Sequence, residues 1–153
     1  MIHLDIRPFG GAEPIRFGMP RASVGGILGV PDSSNDTADS WGNLLNINIG
    51  YDKSGLVNQF GLRPGDYSLS LDGRVVWSPD NCPDPNPILL ALDPEPLERV
   101  GFLVFTKLGV ATTGYHDDDP GQRAISVYPE GAWDKLILKA KKPNLDKYRV
   151  VKS

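Results

Sequence analysis

The sequence predicts a single α+β domain, with a mainly antiparallel sheet of about five to seven strands and one or two short helices. Three observations carry that expectation. Glycine and proline are dense, 17 and 14 of 153 residues, which cuts long helices and favours short strands joined by turns. In the middle of the chain apolar residues recur with a period of two, the pattern of a half-buried strand. No strand pattern is followed by a full-length helix pattern, so the crossover that a parallel βαβ unit requires is not expected. The length suits one domain that buries roughly 70% of the surface its unfolded chain exposes. No internal repeat or linker divides it.

The elements follow in order. Residues 20–28 form the first helix candidate, with Pro20 at its first turn and Gly29 placed to stop it. Met19, Val24, Ile27 and Leu28 share one face, although Gly25 and Gly26 each weaken a helix by about 1 kcal/mol relative to alanine. Residues 32–40 read as a polar loop, and its Asn35-Asp36-Thr37 sequon is taken as chance in a cytoplasmic protein. Leu45, Ile47 and Ile49 alternate with Asn46, Asn48 and Gly50 as a strand, and residues 52–55 turn the chain into a second strand over 56–60. Asp72-Gly73 separates two alternating runs, 67–71 and 74–77, and predicts a type I′ hairpin because both central residues then take positive φ. After a proline-rich stretch, Asn86 is placed to cap a short helix over 87–92 that Asp93-Pro94-Glu95-Pro96 breaks. Strands are expected over 100–105, 109–115 and 123–128, while 134–138 is open between helix and strand.

Composition narrows the function classes. A hydrophobic content of 40% with 23% charged residues fits a folded soluble chain. No apolar run approaches the roughly 20 residues of a membrane helix, and the first residues lack the basic region and apolar core of a signal peptide. One cysteine, Cys82, rules out an internal disulfide and suits a reducing cytoplasm. Charge is uneven: residues 1–134 carry 9 basic and 18 acidic side chains, and residues 135–153 carry 7 basic and 1 acidic. The acidic body disfavours nucleic acid, which is bound by cations on phosphates. The basic C-terminal tail, about 135–153, reads as a solvated terminus, and neither a nucleic-acid nor a membrane partner is expected.

The chemistry-bearing stretch is the loop between the last two strands, where Tyr115 is followed by four titratable side chains, His116, Asp117, Asp118 and Asp119. Such a loop can hold a metal, supply acid–base groups, present negative charge to a basic partner, or simply turn the chain. Zinc wants three or four His or Cys ligands, and this chain has His3, Cys82 and His116, far apart in sequence. A calcium loop needs a late bidentate glutamate, and Pro120-Gly121 stands there instead. There is no Gly-x-Ser-x-Gly elbow, no Gly-x-Gly-x-x-Gly and no phosphate-binding Gly-Lys-Ser/Thr loop, so no nucleotide, metal or other cofactor is expected. Trp41, Trp77 and Trp133 are read as packing residues, and carboxylates beside Cys82 raise its thiol pKa and disfavour a nucleophilic role.

Two stretches carry a resemblance. One runs from Ile15-Arg16-Phe17-Gly18-Met19-Pro20-Arg21-Ala22-Ser23-Val24 to Leu28-Gly29-Val30-Pro31. The other joins Leu108-Gly109, Thr112-Thr113-Gly114-Tyr115-His116-Asp117, Ala124-Ile125-Ser126-Val127-Tyr128 and Gly131-Ala132-Trp133-Asp134. Together they cover about a third of the chain. They resemble immunity proteins of bacterial polymorphic toxin systems, of the contact-dependent or type VI secretion kind. The resemblance implies a small, acidic, non-enzymatic protein that binds and neutralises one cognate toxin, such as a nuclease with a basic cleft. Tyr115, His116, Asp117, Asp118 and Asp119 would then meet the partner, the carboxylates standing where phosphates would sit. Two other readings stay open at this point. One is a metal-dependent hydrolase using the residues from His116 to Asp119. The other is a regulatory or scaffold domain that binds through its sheet edge or basic tail.

Overall fold

Short strands dominate the computed structural model, which describes residues 1–145. In chain order they are β1 (Ile2–Arg7), β2 (Gly11–Glu13), β3 (Ile15–Arg16), α1 (Arg21–Leu28), β4 (Ser33–Ser34), β5 (Ala38–Trp41), β6 (Ile47–Tyr51), β7 (Val57–Leu62), β8 (Tyr67–Leu71), β9 (Arg74–Trp77), α2 (Asn86–Leu92), β10 (Leu97–Arg99), β11 (Phe102–Phe105), β12 (Val110–Thr113), a 3₁₀ turn (Pro120–Gln122), β13 (Ala124–Val127) and α3 (Asp134–Leu138). The α+β class holds, and most strand pairs are antiparallel. The strands divide between two sheets, one of five in the order β3-β2-β1-β8-β9 and one of eight in the order β10-β11-β12-β13-β7-β6-β5-β4. The basic tail expected over 135–153 is described as far as Leu145, and its remainder, 146–153, lies outside the described residues.

One core joins the two sheets. Leu4 and Ile6 of β1 and Tyr67, Leu69 and Leu71 of β8 alternate inward from the smaller sheet. Ile47, Ile49, Phe60, Leu62, Leu103, Phe105, Ile125 and Val127 do so from the larger. Val24 and Leu28 of α1 and Leu89 and Leu90 of α2 join the same cluster, and Met19 and Ile27 pack against it. Each such aliphatic side chain contributes about 1.5–3 kcal/mol relative to exposure. A second, smaller cluster covers the outer face of the larger sheet at its β10–β12 end. There Val104, Ala111 and Tyr128 lie under Phe9, Phe102, Trp133, Leu136 and Ile137. Trp133 stacks on Tyr128 with centroids 4.9 Å apart and meets Phe102 edge-on at 4.9 Å. That aromatic packing makes residues 134–138 a helix, because α3 can lay Leu136 and Ile137 onto it.

Several local expectations are borne out in detail. Pro20 precedes α1 and Gly29, at φ +86°, ends it. Asp72 and Gly73 take φ +53° and +76°, the two positive values a type I′ turn needs. Others are corrected. Residues 32–40 are not all loop: β4 and β5 form a hairpin whose turn is held by the Asn35 side chain accepting from the Thr37 N–H at 2.9 Å. Asn86 does not cap α2; its own N–H donates to Asp84 Oδ1 at 3.0 Å, and its side chain lies buried, accepting from Thr112 Oγ1 at 2.9 Å. The strand expected from Val100 begins at Phe102, because Val100-Gly101 is the turn between β10 and β11. β1 pairs in parallel with β8, from Ile2 opposite Tyr67 to Ile6 opposite Leu71. No crossover helix announces that pair, since β2 through β7 and α1 intervene.

Candidate functional site

The loop between β12 and β13 is closed around Gly114. This residue sits at φ +80°, and a Cβ there would meet Arg123 N at 2.4 Å and Asp119 O at 2.6 Å, so only glycine fits. The Asp119 N–H donates to Gly114 O at 2.9 Å, the Gln122 N–H to Asp119 O at 3.0 Å, and Thr113 Oγ1 to Gln122 O at 2.7 Å. Arg123 lies across the inside of the loop: Nε donates to Gly114 O at 3.4 Å, a terminal nitrogen reaches Asp118 Oδ1 at 3.1 Å, and the guanidinium stands 5.6 Å from the Tyr115 ring centre. The loop is therefore braced on itself before any partner arrives.

The five residues singled out in the sequence separate into two groups. Tyr115 is only 4% exposed and belongs to the main core. Burial pushes its phenol up to about 12, against the opposing pull of the Arg123 charge. His116 turns inward too, with its side chain 10% exposed and Nε2 at 3.5 Å from Glu98 Oε2 of β10. Nδ1 of His116 is buried and has no hydrogen-bond partner among the described residues. Asp117, Asp118 and Asp119 are exposed, and among the described residues only Asp118 of the three has an ion pair, with Arg123. The single run of titratable groups is thus an inward histidine and an outward set of three carboxylates. No three His, Cys, Asp or Glu side chains among the described residues come close enough together to hold a metal ion.

Cys82 lies half-buried with its thiol 3.2 Å from the Val76 carbonyl, and burial together with the nearby Asp84 charge raises its pKa. A thiol held protonated in this way is a poor nucleophile. On the outer face of the smaller sheet His3 stands between two serines, Nδ1 2.6 Å from Ser68 Oγ and Nε2 3.0 Å from Ser70 Oγ, while Ser70 donates to Asp5 Oδ1 at 2.9 Å. Because the Ser70 proton goes to Asp5, the Nε2 bond requires His3 to donate. The histidine therefore cannot act as the base that strips Ser70, and the four residues form a polar ladder across β1 and β8.

Sequence reasoning missed one buried charge network. Asp39, 6% exposed, accepts from Arg21 Nε at 3.1 Å, Ser34 Oγ at 2.7 Å and Tyr51 Oη at 2.8 Å. Burial works against the Asp39 charge, but hydrogen bonds from Arg21, Ser34 and Tyr51 overcome it and hold the carboxyl below its ordinary value. Arg21 also lies 4.7 Å over the Tyr51 ring and donates to the Asn35 and Ala38 carbonyls, which ties the start of α1 to the β4–β5 hairpin. All its groups are consumed internally, so it is a clamp rather than a site. No local signal reveals it, because the partners are brought together only by the fold.

No helix among the described residues is long and apolar enough to cross a membrane. Comparison with protein-family models, curated proteins and solved structures finds no match to this chain.

Proposed function

We propose that this chain is a non-enzymatic bacterial immunity protein that acts in the cytoplasm by binding and neutralising a cognate toxin. The observation that carries the proposal is the braced loop that holds Asp117, Asp118 and Asp119 out to solvent while Tyr115 and His116 anchor it from within. Carboxylates carried on a braced backbone suit a basic cleft, such as that of a nuclease. The loop's internal bonds reduce what must be ordered on binding, a cost of about 0.5–1.5 kcal/mol for each mobile side chain. Opposite charge raises the encounter rate, up to about 10⁸–10⁹ M⁻¹s⁻¹ at low salt. In this reading Tyr115 and His116 position the loop, and the three aspartates make the contact. The hydrolase reading draws less support, since His116 faces Glu98 and not the aspartates.

Co-expression with the toxin encoded beside its gene tests the proposal. Wild-type chain should restore growth, and the folded triple variant Asp117→Asn, Asp118→Asn, Asp119→Asn should not. Equal killing with and without the wild-type chain would end the immunity reading, and full protection by the triple variant would remove the loop from it.

A further inference from the structure

At the β10 edge of the larger sheet a groove of about 450 Å³ runs between the Val100-Gly101 turn and α3, lined by Arg99, Val100, Lys135, Leu136, Leu138 and Lys139. Both of its walls carry the same pair of chemistries. The turn contributes Val100, 75% exposed, beside Arg99, and the helix contributes Leu138, 84% exposed, between Lys135 and Lys139. Two bare apolar side chains lining one groove form a patch, which differs from the scattered single exposure that is ordinary on protein surfaces. Val100 is also held at φ +50°, a conformation that β-branched residues rarely adopt and that tends to persist at working sites. Arg99, Lys135 and Lys139 make no ion pair among the described residues.

We propose that this groove is a second interaction surface, and that it takes a short acidic peptide segment of a protein partner, one apolar side chain flanked by carboxylates. Charge complementarity selects the occupant. The apolar side chain would rest on Leu136 between Val100 and Leu138, and the carboxylates would meet Arg99 on one wall and Lys135 and Lys139 on the other. The sequence of residues 146–153 does not match that chemistry, with Lys147, Arg149 and Lys152 against one acid, Asp146. A wide anionic lipid surface fits less well than a narrow segment. The strand register places the exposed aspartates of the 114–123 loop at the same end of the sheet as the Val100-Gly101 turn, so a flat anionic plane would be opposed there.

The test is a titration of the isotope-labelled protein with the acetylated peptide Glu-Glu-Leu-Glu-Glu, followed by amide chemical shifts. Saturable shifts centred on Arg99, Val100 and residues 135–139 are expected at about millimolar peptide or below. Serine in place of the peptide leucine should weaken binding about tenfold, as should Leu138→Asp, and Lys135→Glu with Lys139→Glu should weaken it by at least that much. These side chains are exposed, so the variants should keep the wild-type spectrum elsewhere. The Asp117, Asp118 and Asp119 triple asparagine variant should bind the peptide no more weakly, which separates this groove from the toxin-binding proposal. Absence of saturation, shifts centred elsewhere, or indifference to the groove variants would overturn the assignment. So would sedimentation with phosphatidylserine vesicles that the groove variants abolish while the peptide fails to bind.

Discussion

Two connections meet at one end of the larger sheet, and they are built on opposite principles. The ten-residue loop from Gly114 to Arg123 is acidic and anchored by buried side chains, and its left-handed positions fall to Gly114, which no other residue can replace, and to Asp118 at φ +50°, a residue type that tolerates that region. The two-residue turn at Val100-Gly101 is flanked by cations and bare of cover, and it forces a valine into the left-handed region. The first has its backbone braced internally and offers a surface of exposed carboxylates. The second leaves the Val100 side chain largely exposed. The difference teaches that charge and exposure alone do not describe a binding surface: how much of the connection is already satisfied decides what a partner has to supply.

Breaking the acidic loop from inside should have the largest effect. Tyr115→Ala removes a core side chain and is expected to cost about 3–5 kcal/mol in urea unfolding. Gly114→Ala, which sets a Cβ against Arg123 N and Asp119 O, should cost roughly 2–4 kcal/mol. The opposite substitution in the other turn should have the opposite sign. Val100→Gly relieves a left-handed valine, worth about 1–2 kcal/mol, against the greater entropy of glycine in the unfolded chain, and a net gain of up to about 1 kcal/mol is expected. A loss of more than that gain would show that Val100 is packed and not bare. Smallest of all, Asp117→Asn with Asp119→Asn should leave stability within about 0.5 kcal/mol, because neither carboxylate is buried.

A third connection sharpens the contrast through pH. The β4–β5 hairpin is held by the Asp39 carboxylate, whose folded pKa is depressed by its hydrogen bonds from Arg21, Ser34 and Tyr51. A depressed carboxylate contributes stability that is present above its unfolded value, near 3.9, and is lost as pH falls through the lower folded value. The protection factors of the Thr37 and Asp39 amides against hydrogen exchange should therefore fall across that window, and Asp39→Asn should abolish the dependence. The protection factor of the Asp119 amide, whose acceptor is the Gly114 carbonyl, should show no matching fall. A parallel acid response at both places would mean that the two connections unfold together.

What was legible in the sequence is what depends on neighbours along the chain. Pro20 and Gly29 bracket α1, Asp72-Gly73 makes its hairpin, and the run from His116 to Asp119 marks a connection between strands. What was not legible depends on the other side of each contact. His116 faces inward because Glu98 stands on β10, a strand too short and too mixed in pattern to announce itself. Asp39 sits in a run of polar residues that looks solvated until Arg21 reaches it from the start of α1. Val100 opens an apolar run whose natural reading is a strand, and only the pairing of Arg99 with Phe102 turns it into the tip of a hairpin. Asn86 has the side chain of a cap, yet its amide group is drawn into the core by Thr112 on β12.

The parallel pairing of β1 with β8 has a consequence for how the chain is made. β1 lies in the middle of its sheet, and its second neighbour is translated only after β7 is complete. Until Tyr67 to Leu71 leave the ribosome, β1 has only the short β2 beside it and one long edge open. Contacts this distant along the chain form late, and unpaired edges are where nascent proteins go astray. A ribosome-bound chain stalled before β8 should therefore be protease-sensitive across its first residues and gain protection there once β8 has emerged.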